Sequence, residues 1–130
     1  DRPRYLMGVG KPADIVAAVS RGVDMFDCVL PSRNARHGEV YTSEGMIRLK
    51  HAVHARDQRV LDPGCSCEVC RGGYSRGYLR HLLQVGEPTV ATLLTIHNHT
   101  YYQRMMRAIR NRIQSERLLD GLLPGLDSVA

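Results

Sequence analysis

The sequence predicts an α/β chain, with a parallel βαβ unit at its start and a long amphipathic helix toward its end. Two observations carry that prediction. A strand, a glycine turn, a helix and a second apolar run fit within residues 5–30, the size of one right-handed crossover. From residue 88 to about 115, Val90, Leu93, Leu94, Tyr101, Met105 and Ile109 recur at helical spacing.

Taken in order, Tyr5-Leu6-Met7 forms a short apolar run that breaks at Gly8-Val9-Gly10. Pro12 then opens a helix with Ile15, Val16 and Val19 on one side, and Gly22 ends it. Residues 25–30 read as the second strand, stopped by Pro31, with a loop at residues 32–37. Two parallel strands under one helix do not bury both faces of a sheet, so the chain reads as a piece of something larger. Val40, Tyr41 and Thr42 are expected to pair with Met46, Ile47 and Arg48 in a hairpin that turns at Ser43-Glu44-Gly45. Residues 50–59 are polar and basic, a short helix or loop. Residues 75–85 form a helix with Tyr78, Leu79, Leu82 and Leu83 on one face, and residues 118–130 show no period and are expected to fray.

Between the hairpin and the helices lies the densest chemistry. Cys65, Cys67 and Cys70 follow the turn signal Asp62-Pro63-Gly64, and three thiolates at this spacing suit one tetrahedral zinc ion that needs a fourth ligand. A disulfide is the plainer alternative, but it would leave an odd thiol, and Cys28 is distant in sequence. Of the six histidines, His97 lies inside the apolar stripe of the long helix, whereas His99 falls nearly opposite and His81 lies off the apolar face of its helix. His97 is the better ligand candidate; by itself, an inward histidine is more often a hydrogen-bonded core residue.

At 130 residues the chain is one domain's length, at the small end where a structural metal helps. Its net charge is +5 and arginine far outnumbers lysine, which suits a polyanionic partner. No apolar run is long enough to span a bilayer, and the start carries no signal-peptide pattern, so a cytoplasmic protein without a membrane partner is expected. Reduced thiolates fit that compartment.

Asp27 interrupts the second apolar run, and α/β folds collect active sites at the carboxyl ends of such strands. A buried carboxylate satisfied by backbone amides is the competing reading, while Asp24 suits the preceding turn. The Gly8-Val9-Gly10-Lys11 turn could cradle a phosphate, although glycine strand-to-helix turns are common without ligands. Arg33 and Arg36 lie just downstream of Asp27, where guanidiniums could grip phosphates or simply be solvated.

Four ordered motifs together resemble the tRNA-guanine transglycosylases, most closely the bacterial, queuosine-pathway branch. They are Arg4-Tyr5-Leu6-Met7-Gly8-Val9-Gly10-Lys11-Pro12, Asp24-Met25-Phe26-Asp27-Cys28-Val29-Leu30-Pro31-Ser32-Arg33, the Cys-x-Cys-x-x-Cys knuckle, and Thr95-Ile96-His97-Asn98. The likeness runs from about Arg4 to about Leu119 and covers that family's C-terminal part. It implies the C-terminal portion of a (β/α)8 TIM barrel with a zinc-binding subdomain and a long C-terminal helix. Residues 1–36 would be the last barrel βαβ unit, residues 37–119 the hairpin, zinc subdomain and helix, and residues 120–130 a tail.

The resemblance further implies an enzyme that exchanges the wobble guanine of tRNA for a 7-deazaguanine precursor of queuosine. Asp27 matches the nucleophile of a covalent ribosyl intermediate. Met7 and Gly8 match positions near the bound base. Gly8, Val9, Gly10, Lys11, Pro12, Ala13 and Asp14, with Ser32, Arg33, Asn34, Ala35 and Arg36, match segments that contact the anticodon loop. Cys65, Cys67, Cys70 and His97 match the ligands of one structural zinc ion. A homodimer is expected for the full-length form, and the 130-residue chain alone is expected to be inactive. The rival functions are a non-catalytic zinc-containing tRNA-binding fragment or accessory subunit, and an unrelated zinc-ribbon nucleic-acid binder.

Overall fold

The computed structural model describes residues 2–115; the expected fraying beyond residue 118 and the 120–130 tail lie outside them. Strand β1 (Tyr5–Met7) pairs in parallel with β2 (Met25–Asp27), in the register Tyr5 to Met25, Leu6 to Phe26 and Met7 to Asp27. The crossover is α1 (Pro12–Val19), with proline in its first turn, where a missing N–H costs nothing. The βαβ unit is therefore as expected.

The second strand is shorter than the apolar run suggested. It ends at Asp27, and α2 (Leu30–Arg36) takes up the segment expected to be a loop. Pro31 starts this helix rather than stopping the strand, because in a first turn its fixed φ is an asset. Burial decides the matter, since Pro31 and Ala35 face the long helix and a loop would not present both to it.

The hairpin forms from β3 (Glu39–Thr42) and β4 (Gly45–Arg48), pairing Val40 with Ile47 and Tyr41 with Met46. Gly45 pairs with Thr42 instead of lying in the turn, which is left as Ser43-Glu44. A short 3-10 turn (Ala52–His54) follows, then the cysteine knuckle with the one-turn helix α3 (Glu68–Arg71). Helix α4 (Arg76–Val85) is capped by Ser75, whose hydroxyl accepts from Tyr78 N, and it closes on Gly86 in the left-handed conformation.

Helix α5 (Thr89–Gln114) runs for 26 residues, about 39 Å at 1.5 Å per residue. It joins two cores. Val90 and Leu94 belong to one, with Val40, Leu49, Leu61, Val69 and Leu79 around the knuckle. Tyr101, Met105 and Ile109 belong to the other, which takes Ile15 from α1 and packs against Phe26 of β2. One helix thus carries both the cysteine subdomain and the βαβ unit. No helix among the described residues is long and apolar enough to cross a membrane.

Candidate functional site

Alternation along the strands puts Tyr5, Met7, Met25 and Asp27 on one face of the parallel pair, while Phe26 points back to the helices. Asp27 is the last residue of β2, exposed rather than buried among amides. Its carboxylate accepts from the Tyr5 hydroxyl, and Gly8 N lies 3.4 Å from the same oxygen. The hydrogen bond to this carboxylate, reinforced by desolvation and by the negative charge, raises the Tyr5 phenol above its usual range, so Tyr5 stays a donor. Tyr5 is a residue that reading the sequence alone did not single out. Its partnership with Asp27 follows from the strand register, in which Tyr5 pairs with Met25 and Met7 with Asp27, so that residues two apart share a face.

Gly8 also donates its N–H to the Asp27 carbonyl at 3.1 Å, which ties the 8–14 segment to the strand end. Met7 is 73% exposed on the same face. Lys11 caps the start of α1, and Lys11 and Arg33 line one cleft of about 710 Å³ together with His37 and Arg48 of the hairpin. Within residues 32–36 the side chains divide. Arg33 and Arg36 are exposed, Ala35 is wholly buried, and Asn34 donates its amide to the Tyr41 hydroxyl at 2.7 Å. Arg36 is not among the residues lining that cleft.

The knuckle brings Cys65, Cys67, Cys70 and His97 together, with one ligand atom from each lying within 4.8 Å of the others. A tetrahedron with 2.3 Å zinc–sulfur bonds has edges of about 3.8 Å, so the cluster has the right scale. His97 Nδ1 lies 3.5 Å from Cys67 Sγ and 3.4 Å from Cys70 Sγ. Its Nε2–H donates to the Tyr41 carbonyl at 2.8 Å, which leaves the Nδ1 lone pair facing the sulfurs. All four cysteines are free of disulfides, and the three in the knuckle are buried. His81 and His99 are exposed, as expected.

Electrostatics favour a cation here. Hydrogen bonds from Cys65 and then Cys70 hold Cys67 down at about 3, whereas Cys70 is pushed far up by its bonds to Cys65 and Cys67. One thiolate forms readily, but a third on the same spot is opposed, and a divalent ion removes that opposition. These residues can hold a metal ion, and the donor set is one that zinc takes. Asp62, read from sequence as a turn residue, turns out to be a buried tie beside the knuckle. It accepts from Ser43 Oγ at 2.8 Å and pairs with Arg104 at 3.4 Å.

Residues 1–121 match the family model described as queuine tRNA-ribosyltransferase. The chain belongs to the queuine tRNA-ribosyltransferase family. Among curated relatives bearing that name, one from Stenotrophomonas maltophilia (strain K279a) is 53% identical over 115 residues, 88% of this chain and 31% of the relative. One from Dinoroseobacter shibae is 56% identical over 113 residues, 87% of this chain and 30% of the relative. One from Psychromonas ingrahamii is 52% identical over 120 residues, 92% of this chain and 32% of the relative. The chain thus spans just under a third of the length of these queuine tRNA-ribosyltransferases.

Proposed function

We propose that this chain is the C-terminal part of a tRNA base-exchange enzyme that replaces the wobble guanine with a 7-deazaguanine precursor of queuosine. The observation that carries the reading is Asp27 at the end of β2. It is exposed on the sheet face turned away from the helices, held by Tyr5, and adjoined by the 8–14 segment.

One Asp27 oxygen attacks C1′ of the wobble nucleotide from the face opposite the base. The bond from C1′ to N9 breaks, its electron pair leaves with guanine, which takes up a proton, and an ester joins Asp27 to the ribose. The incoming base then attacks C1′ through its own ring nitrogen, frees the carboxylate and loses a proton. Two inversions at one carbon retain its configuration, as in retaining glycosidases. Tyr5 orients the carboxylate, and Met7 and Gly8 border the space a base would occupy. Lys11, Arg33 and Arg36 are the side chains of residues 8–14 and 32–36 suited to phosphates of an unstacked anticodon loop.

The same face supports placement in a (β/α)8 barrel, because inward residues of barrel strands alternate with residues that meet the helix layer. On this reading residues 1–36 are the last βαβ unit, residues 37–119 the hairpin, zinc subdomain and helix, and residues 120–130 a tail. Cys65, Cys67, Cys70 and His97 hold one zinc ion. The ion would tie the knuckle to α5 as a structural cross-link and would supply no chemistry to the reaction. The protein works in the cytoplasm on tRNA and a 7-deazaguanine base. As a full-length homodimer it has a ready contact surface in the exposed stacked pair Tyr74 and Tyr78, whose rings are 6.1 Å apart.

The test is exchange of labelled guanine into tRNA by the full-length protein. Asp27→Asn should abolish it while leaving tRNA binding nearly intact, since an amide is a poor nucleophile. The 130-residue chain alone should be inactive, because the pocket that orients the base and excludes water needs more parallel strands than the two found among the described residues. Trapping a covalent RNA adduct with the Asn variant, or brisk exchange by the isolated chain, would sink the assignment.

A further inference from the structure

Between His97 and Tyr102, helix α5 makes a series of attachments that the reaction scheme leaves unused. Asn98, next to the metal-facing histidine, is completely buried and uses its whole amide. Nδ2 donates to the carbonyls of Pro31 and Glu39, each at 3.0 Å, and Oδ1 accepts from Tyr41 N at 3.1 Å. One turn on, the Tyr102 hydroxyl donates to the Gly10 carbonyl at 2.6 Å. Gly10 is gripped from its other side as well, because a Cβ built there would lie 2.2 Å from Cys28 Sγ. Gly10 is therefore wedged between the residue after Asp27 and a hydroxyl on α5.

We propose that Asn98 and Tyr102 are positioning residues, which set the 8–14 segment and the start of α2 relative to Asp27 from a helix anchored at the cysteine knuckle. This rests on the reading of Asp27 as nucleophile and of those segments as RNA contacts. The geometry is direct. Asn98 holds the first turn of α2 by the Pro31 carbonyl, and α2 carries Arg33 and Arg36. Tyr102 holds Gly10, two residues from the Gly8 amide that bonds the Asp27 carbonyl. Both groups are buried, so no water replaces a lost bond cheaply. A misplacement of about 1 Å in such a site can cost on the order of a hundredfold in rate.

A role confined to packing would predict something different for Tyr102→Phe. The variant removes one hydroxyl and keeps the ring, which stands edge-on to Tyr41 at 5.2 Å and to Tyr101 at 5.9 Å. In the full-length protein, Tyr102→Phe should retain bound zinc and the wild-type KM for the free base, yet lose about tenfold in kcat with tRNA. Amide hydrogen exchange across residues 9–14 should quicken by a similar factor, whereas exchange in the knuckle should not change. Asn98→Asp, which turns two donated bonds into a carboxylate facing two carbonyls, should quicken exchange across residues 31–41 and lower kcat further.

Wild-type kcat in a zinc-loaded Tyr102→Phe protein, or wild-type exchange across residues 9–14, overturns the proposal. If Asn98→Asp does not fold, the Tyr102→Phe arm decides alone. Loss of the functional reading looks different: the wild-type protein would then fail to exchange guanine at all, while the hydrogen-exchange arm would still report whether Tyr102 holds the segment.

Discussion

The Asp27 carboxylate shares its sheet face with Tyr5, whose hydroxyl donates to it. Tyr5→Phe should leave the fold and tRNA binding intact and lower the exchange rate about tenfold, the worth of one hydrogen bond to a charged group. Steady-state rates with saturating tRNA check this; an unchanged rate would make the contact incidental. A second carboxylate acts on stability instead. Asp57 is held well below the usual carboxylate range, chiefly by its hydrogen bond to Arg59 and against the cost of desolvation. A depressed folded-state value means the stabilisation is present above the unfolded value, near 4, and is lost as pH falls below it. Asp57→Asn should therefore flatten the acid limb of a denaturation-versus-pH curve and leave neutral and basic pH dependence unaltered. The cysteine cluster was legible in sequence because its spacing is local, and His97 because helical periodicity told inward from outward. Tyr5 was not, since its partnership with Asp27 exists only once two strands find their register.

At the scale of elements, α5 and α4 were readable from their apolar stripes. The segment after β2 was misread because proline is ambiguous in sequence: it ends a strand or helix it interrupts, but it opens a helix when it falls in the first turn. Only the burial of Pro31 and Ala35 against α5 settles which. The same helix periodicity distinguishes His97, the candidate ligand, from its neighbours. His97→Ala should lower zinc content and loosen the knuckle, whereas His81→Ala, on the exposed side of α4, should leave zinc at the wild-type level. Metal analysis of freshly reduced protein reads both, and equal loss in the two variants would place the fourth ligand elsewhere.

For the molecule as a whole, composition indicated a basic surface, and the resemblance supplied the barrel. No pattern within the chain does that, since the two strands of the βαβ unit are compatible with any parallel sheet. The basic character now has an address, with Lys11 and Arg33 on one cleft and Arg36 exposed on the same helix as Arg33. Replacing Arg33 and Arg36 with alanine in the full-length protein should weaken tRNA binding and reduce the slope of log K against log salt by roughly one to two units. An unchanged slope would make them solvated side chains. The attachments along α5 also bear on how relatives of this chain can differ in length. One residue added or removed between His97 and Tyr102 would turn everything beyond it by about 100° and slide it about 1.5 Å, separating His97 from the groups that meet Pro31 and Gly10. Insertions and deletions should therefore collect at the Ser43-Glu44 turn and after the last turn of α5, leaving the helix between as an interval of invariant length in the lineage.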